Sequence, residues 1–137
     1  MNQALQMIFG KNGMKRNKSK IILMYGCRTK KDILLQKELE ELQSQNPDQF
    51  KIIYTLSQSR EKSDKFANTG RIGKEMLLNV CNSENLLQTN SKKTCQVWVC
   101  GTPSFYLTIC GKREEKTLSQ DCILKELGFK ENQIVKF

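Results

Sequence analysis

The chain has 137 residues, 38% of them apolar and 27% charged, which is long enough for one globular domain with a real core and argues against wholesale disorder. It has no histidine, which excludes histidine-ligated zinc, Ser-His-Asp and Cys-His catalysis, and no apolar run approaches the roughly 20 residues of a membrane helix. Its 23 basic and 14 acidic side chains leave a net charge of +9.

In chain order, Met1, Ala4, Leu5, Ile8 and Phe9 have helical spacing. A basic loop over 10–20 follows. Residues 1–31 hold eight basic side chains and no acid, from Lys11, Lys15 and Arg16 to Lys30 and Lys31. Such a tract suits nucleic acid, acidic protein or anionic lipid, and equally a solvated loop; no aromatic interleaves to stack on bases. Residues 21–25 are continuously apolar, the pattern of a strand buried on both faces. Thr29 with Asp32 makes a capping box, with Asp in place of the usual Glu. Ile33, Leu34, Leu35, Leu39 and Leu42 then read as one helix face, broken at Asn46-Pro47-Asp48.

A strand over 50–56, a charged loop over 57–68 and a helix over 72–78 come next. Residues 82–94 are polar and loop-like towards their end. A strand over 97–100 precedes helices over 105–110 and 119–127, split by a charged stretch over 111–116. Gly128 reads as a helix C′ residue, and 133–137 as a last strand. Strands alternating with helices predict an α/β fold with a parallel sheet.

One stretch carries a chemical clue. Gln96-Val97-Trp98-Val99-Cys100-Gly101-Thr102-Pro103 is a strand that stops at a thiol and a glycine. Open parallel sheets bind ligands at the C-terminal edges of their strands. Gly101 permits a tight turn or a close ligand approach, Pro103 ends the strand, and Trp98 reads as a packed strand residue. The six cysteines (Cys27, Cys81, Cys95, Cys100, Cys110 and Cys122) form no C-x-x-C pair, and residues 1–10 lack a secretory leader. They read as reduced, intracellular thiols with no metal site.

Together these segments resemble the pyridine-nucleotide domain of the ferredoxin reductase-like flavoproteins, above all the NADH–cytochrome b5 reductase branch. The resemblance rests on Tyr25-Gly26-Cys27-Arg28-Thr29 with the following helix, Ile53-Tyr54-Thr55-Leu56-Ser57, Gly70-Arg71-Ile72 with Glu75-Met76, and Cys100-Gly101-Thr102-Pro103. The ending, from Leu127-Gly128-Phe129 through Ile134 to Phe137, matches too, so the resemblance runs over residues 1–137.

The resemblance implies an open parallel Rossmann-like sheet with flanking helices, binding NADH or NADPH and passing hydride to FAD. Cys100 would lie beside the nicotinamide as the catalytic-site thiol. Gly101, Thr102 and Pro103 would let the backbone approach the cofactor, and Phe137 would lie near the flavin contact. Thr55 and Ser57 would lie near the adenosine half. The family often carries an acid where this chain has Ser57. Arg28, Arg60, Lys62 and Lys65 are close in sequence or motif, which suits a 2′-phosphate and hence NADPH, or else marks solvated loop charges. Partners would be a flavin domain and a cytochrome b5-type heme protein, with no nucleic acid expected and no transmembrane segment in this chain. The location would be cytoplasmic, on the endoplasmic reticulum or mitochondrial outer membrane.

The chain also departs from the family pattern. No FAD domain is recognised, so FAD would act only through a missing domain. The Gly-Thr-Gly-x-Thr-Pro phosphate loop would sit just before Met1, which leaves the first, central strand of the family's 3-2-1-4-5 sheet missing. About eleven extra residues fall around 107–117, and the family's usual second proline is Thr102. The resulting expectations are an incomplete NAD(P)H-binding domain over 1–137, weak nucleotide binding and no activity alone. Two other readings stay open: a non-catalytic interaction or regulatory protein on the same fold, and a basic nucleic-acid-binding module, which no recognition motif supports.

Overall fold

The apolar run at 21–25 opens the first strand, β1 (Ile21–Cys27), in the computed structural model, which describes residues 19–58, 68–87 and 95–137. The helix expected over 1–9 and much of the basic loop lie outside the described residues. β1 pairs in parallel with β2 (Phe50–Leu56), from Ile21 opposite Phe50 to Cys27 opposite Leu56. All five residues of the run are half-buried. This corrects the expectation of a strand covered on both faces, because β1 is an edge strand among the described residues. Alternation puts Tyr25, Cys27, Ile52, Tyr54 and Leu56 on one face, where they pack against Ile33.

The link from β1 to β2 departs from the expected helix. The Asp32 carboxylate accepts from the Thr29 N–H at 2.8 Å and the Thr29 hydroxyl at 2.7 Å, closing a 3-10 turn at Lys30–Asp32. Ile33 turns into the core, the Leu34 N–H donates to the Tyr25 hydroxyl at 3.1 Å, and Leu35 has φ 58°, a left-handed conformation. A leucine there cannot continue a right-handed helix. The helix α1 therefore spans only Gln36–Gln45, with Leu39 in the core and Leu34 and Leu35 exposed.

A third strand, β3 (Asn68–Thr69), pairs in parallel with Thr55 and Leu56 at the end of the stretch expected as a loop over 57–68. β3 is too short to serve the rest of β2, and the Gln43 side chain accepts from the Ile52 N–H at 2.7 Å instead.

The chain divides into two compact units, Met1–Ile72 and Gly73–Phe137, with the sheet β1-β2-β3 in the first. In the second, α2 (Lys74–Ser83) starts after Gly73, two residues later than expected, and buries Val80 and Cys81. β4 (Val97–Val99) pairs in parallel with β5 (Ile134–Lys136). Between them lie α3 (Pro103–Ile109) and α4 (Ile123–Glu126), the latter much shorter than expected. α4 ends in a Schellman motif: Gly128, at φ 81°, donates to Lys125 O at 2.9 Å, and Phe129 donates to Leu124 O at 2.9 Å. Among the described residues the first unit thus holds a three-stranded parallel sheet, β1-β2-β3, and the second a two-stranded one, β4-β5.

The stretch around 107–117 is accommodated by the last residues of α3 and the loop after it. Its neck is tight: Gly111, at φ 88°, packs on Ser119, and Cys110 and Cys122 beside it are fully buried. Lys136 on β5 holds the loop from outside. Its ammonium donates to the main-chain oxygens of Lys112 at 2.7 Å, Glu115 at 2.8 Å and Thr117 at 3.1 Å. Three carbonyls around one ammonium match its three protons.

Candidate nucleotide-binding edges

Each unit presents one C-terminal strand edge. In the second unit, β4 ends at Val99, and Cys100, the next residue, is exposed. The chain then turns through Gly101 into α3. Pro103 occupies the first turn of that helix, and the Thr102 hydroxyl caps it by accepting from the Phe105 N–H at 3.3 Å. Pro103 thus starts a helix as well as ending a strand. A Cβ on Gly101 would come within 3.3 Å of three carbons of Phe105, so the glycine makes room for the packing of α3.

Phe137 lies level with Cys100, since Val99 and Lys136 are ladder partners and the Phe137 N–H donates to Val99 O at 3.1 Å. Its ring meets Trp98 with centroids 5.6 Å apart and planes tilted by 56°. Trp98 is 41% exposed and Phe137 44%, so Trp98 is not the packed strand residue expected. The fold therefore gathers Cys100, Gly101, Thr102, Pro103 and Phe137 at one edge. It adds Trp98 and the buried Tyr106, whose hydroxyl reaches the main chain of Val99 and Phe137. Neither was singled out for the site from sequence. The alternation within Val97-Trp98-Val99 could have suggested that Trp98 faces outward.

In the first unit the ladder continues past β1 and β2. Ser57 donates to Cys27 O at 2.9 Å and Gln58 to Arg28 O at 2.9 Å, which brings Arg28 and Ser57 to one edge, both exposed. Asp32 lies near Arg28; its carboxyl is held below the usual range, first by the Thr29 hydroxyl and N–H bonds and then by the Arg28 charge. Thr55 is fully buried, and its hydroxyl donates to Gly70 O at 2.8 Å. It fixes the Gly70 turn and does not present its hydroxyl at the surface. Arg60, Lys62 and Lys65 lie outside the described residues.

Burial pushes up the thiols of Cys27, Cys95 and Cys110; the charge of Asp32 adds to the effect at Cys27. No group of three or more metal-ligating side chains occurs among the described residues, and no described helix is long and apolar enough to cross a membrane.

An exposed thiol, a solvent-open turn and a partly exposed aromatic ring suit a flat, largely uncharged ring better than a metal or a phosphate. The residues present thus fit the nicotinamide end of a dinucleotide.

Parallel strands with their chemistry at the C-terminal edges define an α/β domain of the kind that takes ligands at those edges. The family model described as "Oxidoreductase NAD-binding domain" matches residues 1–111, and the chain belongs to that family. Among curated relatives it is 36% identical to NADH-cytochrome b5 reductase 2 of Candida glabrata over 126 residues, covering 90% of this chain and 39% of that protein. It is 35% identical to the Aspergillus terreus protein of the same name, covering 88% of this chain and 36% of that one. The chain thus spans well under half the length of these relatives. The crystal structure of the cytochrome b5 reductase domain of Ulva prolifera nitrate reductase superposes with a TM-score of 0.65 at 23% identity, covering 98% of this chain and 42% of that one. The CS-b5R domains of human Ncb5or in the NAD+ form give 0.60 at 22% identity, covering 86% and 28%. The fold is that of the ferredoxin reductase-like NAD-binding domains.

Proposed function

We propose that residues 1–137 are the pyridine-nucleotide-binding part of an oxidoreductase that moves hydride from NADH or NADPH to a flavin. Electrons then pass to a cytochrome b5-type acceptor. The observation that carries this reading is Phe137 level with exposed Cys100 at the end of β4. The relatives named NADH-cytochrome b5 reductase support the acceptor class. When bound, the nucleotide supplies the hydride from its nicotinamide ring. Cys100 packs beside that ring, Phe137 limits its approach from the adjacent strand, and the main chain from Gly101 to Pro103 sets the depth of the site. Without a flavin the chain has no hydride acceptor, so it does not turn over alone. On this reading the protein works in a reducing intracellular compartment, on the cytosolic face of the endoplasmic reticulum or the mitochondrial outer membrane.

The test is thiol alkylation read by peptide mass spectrometry. Cys100 should react first among the described cysteines, and saturating NADH should slow it by about tenfold if the ring covers the thiol. Adding a separate flavin domain should then produce NADH-dependent dye reduction that neither part shows alone. Alkylation of Cys100 indifferent to either nucleotide would refute the assignment.

Nucleotide choice is assigned to the Arg28–Ser57 edge. Arg28 offers a bidentate partner to a 2′-phosphate, and Ser57 presents no competing charge. Replacing Ser57 with Asp should weaken NADPH relative to NADH by about tenfold, the effect of a like charge set against the phosphate. An unchanged affinity ratio by calorimetry would remove Ser57 from the site.

One observation favours a second reading, a non-catalytic interaction protein on the same fold. β1 and β4 each pair on one side only among the described residues, and edge strands invite a partner strand. Nucleotide protection of Cys100 separates the two.

A further inference from the structure

Phe137 is partly exposed, so burial alone does not fix its ring. Its main chain is what is held. The Phe137 N–H donates to Val99 O at 3.1 Å, and the Tyr106 hydroxyl donates to the Phe137 carbonyl oxygen, with Val99 O also in reach at 3.2 Å. Tyr106 itself is 3% exposed, anchored in α3 by its N–H bond to Thr102 O at 3.0 Å. A phenol has one proton, and here it meets two main-chain oxygens at the ends of adjacent strands. The Val99 oxygen already receives the Phe137 N–H, which leaves the Phe137 oxygen as the acceptor with the greater need. Tyr106 therefore ties the far side of residue 137 to a helix that starts at the Thr102 cap. The turn after Cys100 and the ring across from it share one anchor.

We propose that Tyr106 is the positioning residue of the nicotinamide edge: its hydroxyl pins Phe137 so that the ring stands beside Cys100. This rests on reading that edge as the nicotinamide site. Tyr106 touches no reacting atom; it acts through Phe137.

The variant Tyr106→Phe keeps the buried ring and removes only the hydroxyl. Trp98 is the only tryptophan in the chain and its ring contacts Phe137, so its emission reports the pinned ring without any nucleotide. In Tyr106→Phe, acrylamide quenching of Trp98 should rise and NADH affinity should fall by about fivefold, the equivalent of one hydrogen bond. In a Phe137→Leu background the same substitution should add nothing to either readout. A hydroxyl with a purely structural role would lower the melting temperature equally in both backgrounds and leave quenching alone, and that result overturns the proposal. Unchanged quenching overturns it whether or not NADH binds. Raised quenching in a chain whose parent form binds no NADH supports the pinning and refutes the nucleotide site instead.

Discussion

Replacing Gly111 with alanine is expected to destabilise the Gly73–Phe137 unit by about 3 kcal/mol. Two costs add. Gly111 sits at φ 88°, where a side chain is strained by about 1 kcal/mol or more. The new Cβ would also lie 2.8 Å from the Ser119 main-chain nitrogen, and closer still to the Ser119 hydroxyl. A hydroxyl can rotate away, but main-chain nitrogen cannot. Ser119 cannot retreat easily, because its carbonyl accepts from Cys122 at 3.3 Å and Cys122 is fully buried. Urea unfolding followed by Trp98 emission reads this unit directly. A midpoint unchanged from the parent would mean that the neck of the loop yields freely. Adding Ser119→Gly should restore only the smaller part of the loss, since the main-chain contact remains.

Raising the pH from 10 to 12 is expected to cost the first unit up to about 2 kcal/mol of stability. The Tyr54 phenol is pushed up from 10.0 to about 12, first by burial, then by the charges of Glu40, Tyr25 and Cys27. In the unfolded chain the phenol ionises near 10; in the folded chain it stays neutral until about 12. Above pH 10 the unfolded state therefore binds fewer protons, and unfolding becomes easier as pH rises, by about 1.4 kcal/mol for each pH unit. The slope from this group fades below pH 10 and again above about 12. Tyr54→Phe cannot titrate and should flatten the decline. The raised Cys27 thiol acts in the same direction and should leave a smaller slope behind. A decline equally steep in Tyr54→Phe would assign it to other groups.

The strands that organise both units were legible because β-branched and apolar runs such as Ile21-Ile22-Leu23 and Ile52-Ile53-Tyr54 have few alternatives. Asn68-Thr69 has no such signal: two polar residues become a strand only because β2 offers them a ladder. Ile33-Leu34-Leu35 misled for a different reason. Their apolarity fits a helix face, but each does something different: Ile33 packs in the core, Leu34 bonds to Tyr25 through its main chain, and Leu35 is left-handed. At the second edge, Cys100 and Phe137 were legible through motif resemblance. Tyr106 was not, since its acceptors lie 7 and 31 residues away along the chain and periodicity does not register such distances.

The parallel pairing of β4 with β5 has a consequence for the order of events in folding. Two parallel strands cannot close with a tight hairpin, so β5 reaches β4 only after the chain has crossed over through α3, the loop after it and α4. The rung that brings Phe137 level with Cys100 closes that long crossover. It sits at the end of a ladder only three residues long, where local opening costs least. The chemistry-bearing edge is thus the part of this ladder most open to fraying, and the bond that the Tyr106 hydroxyl makes to Phe137 acts as a brake on it.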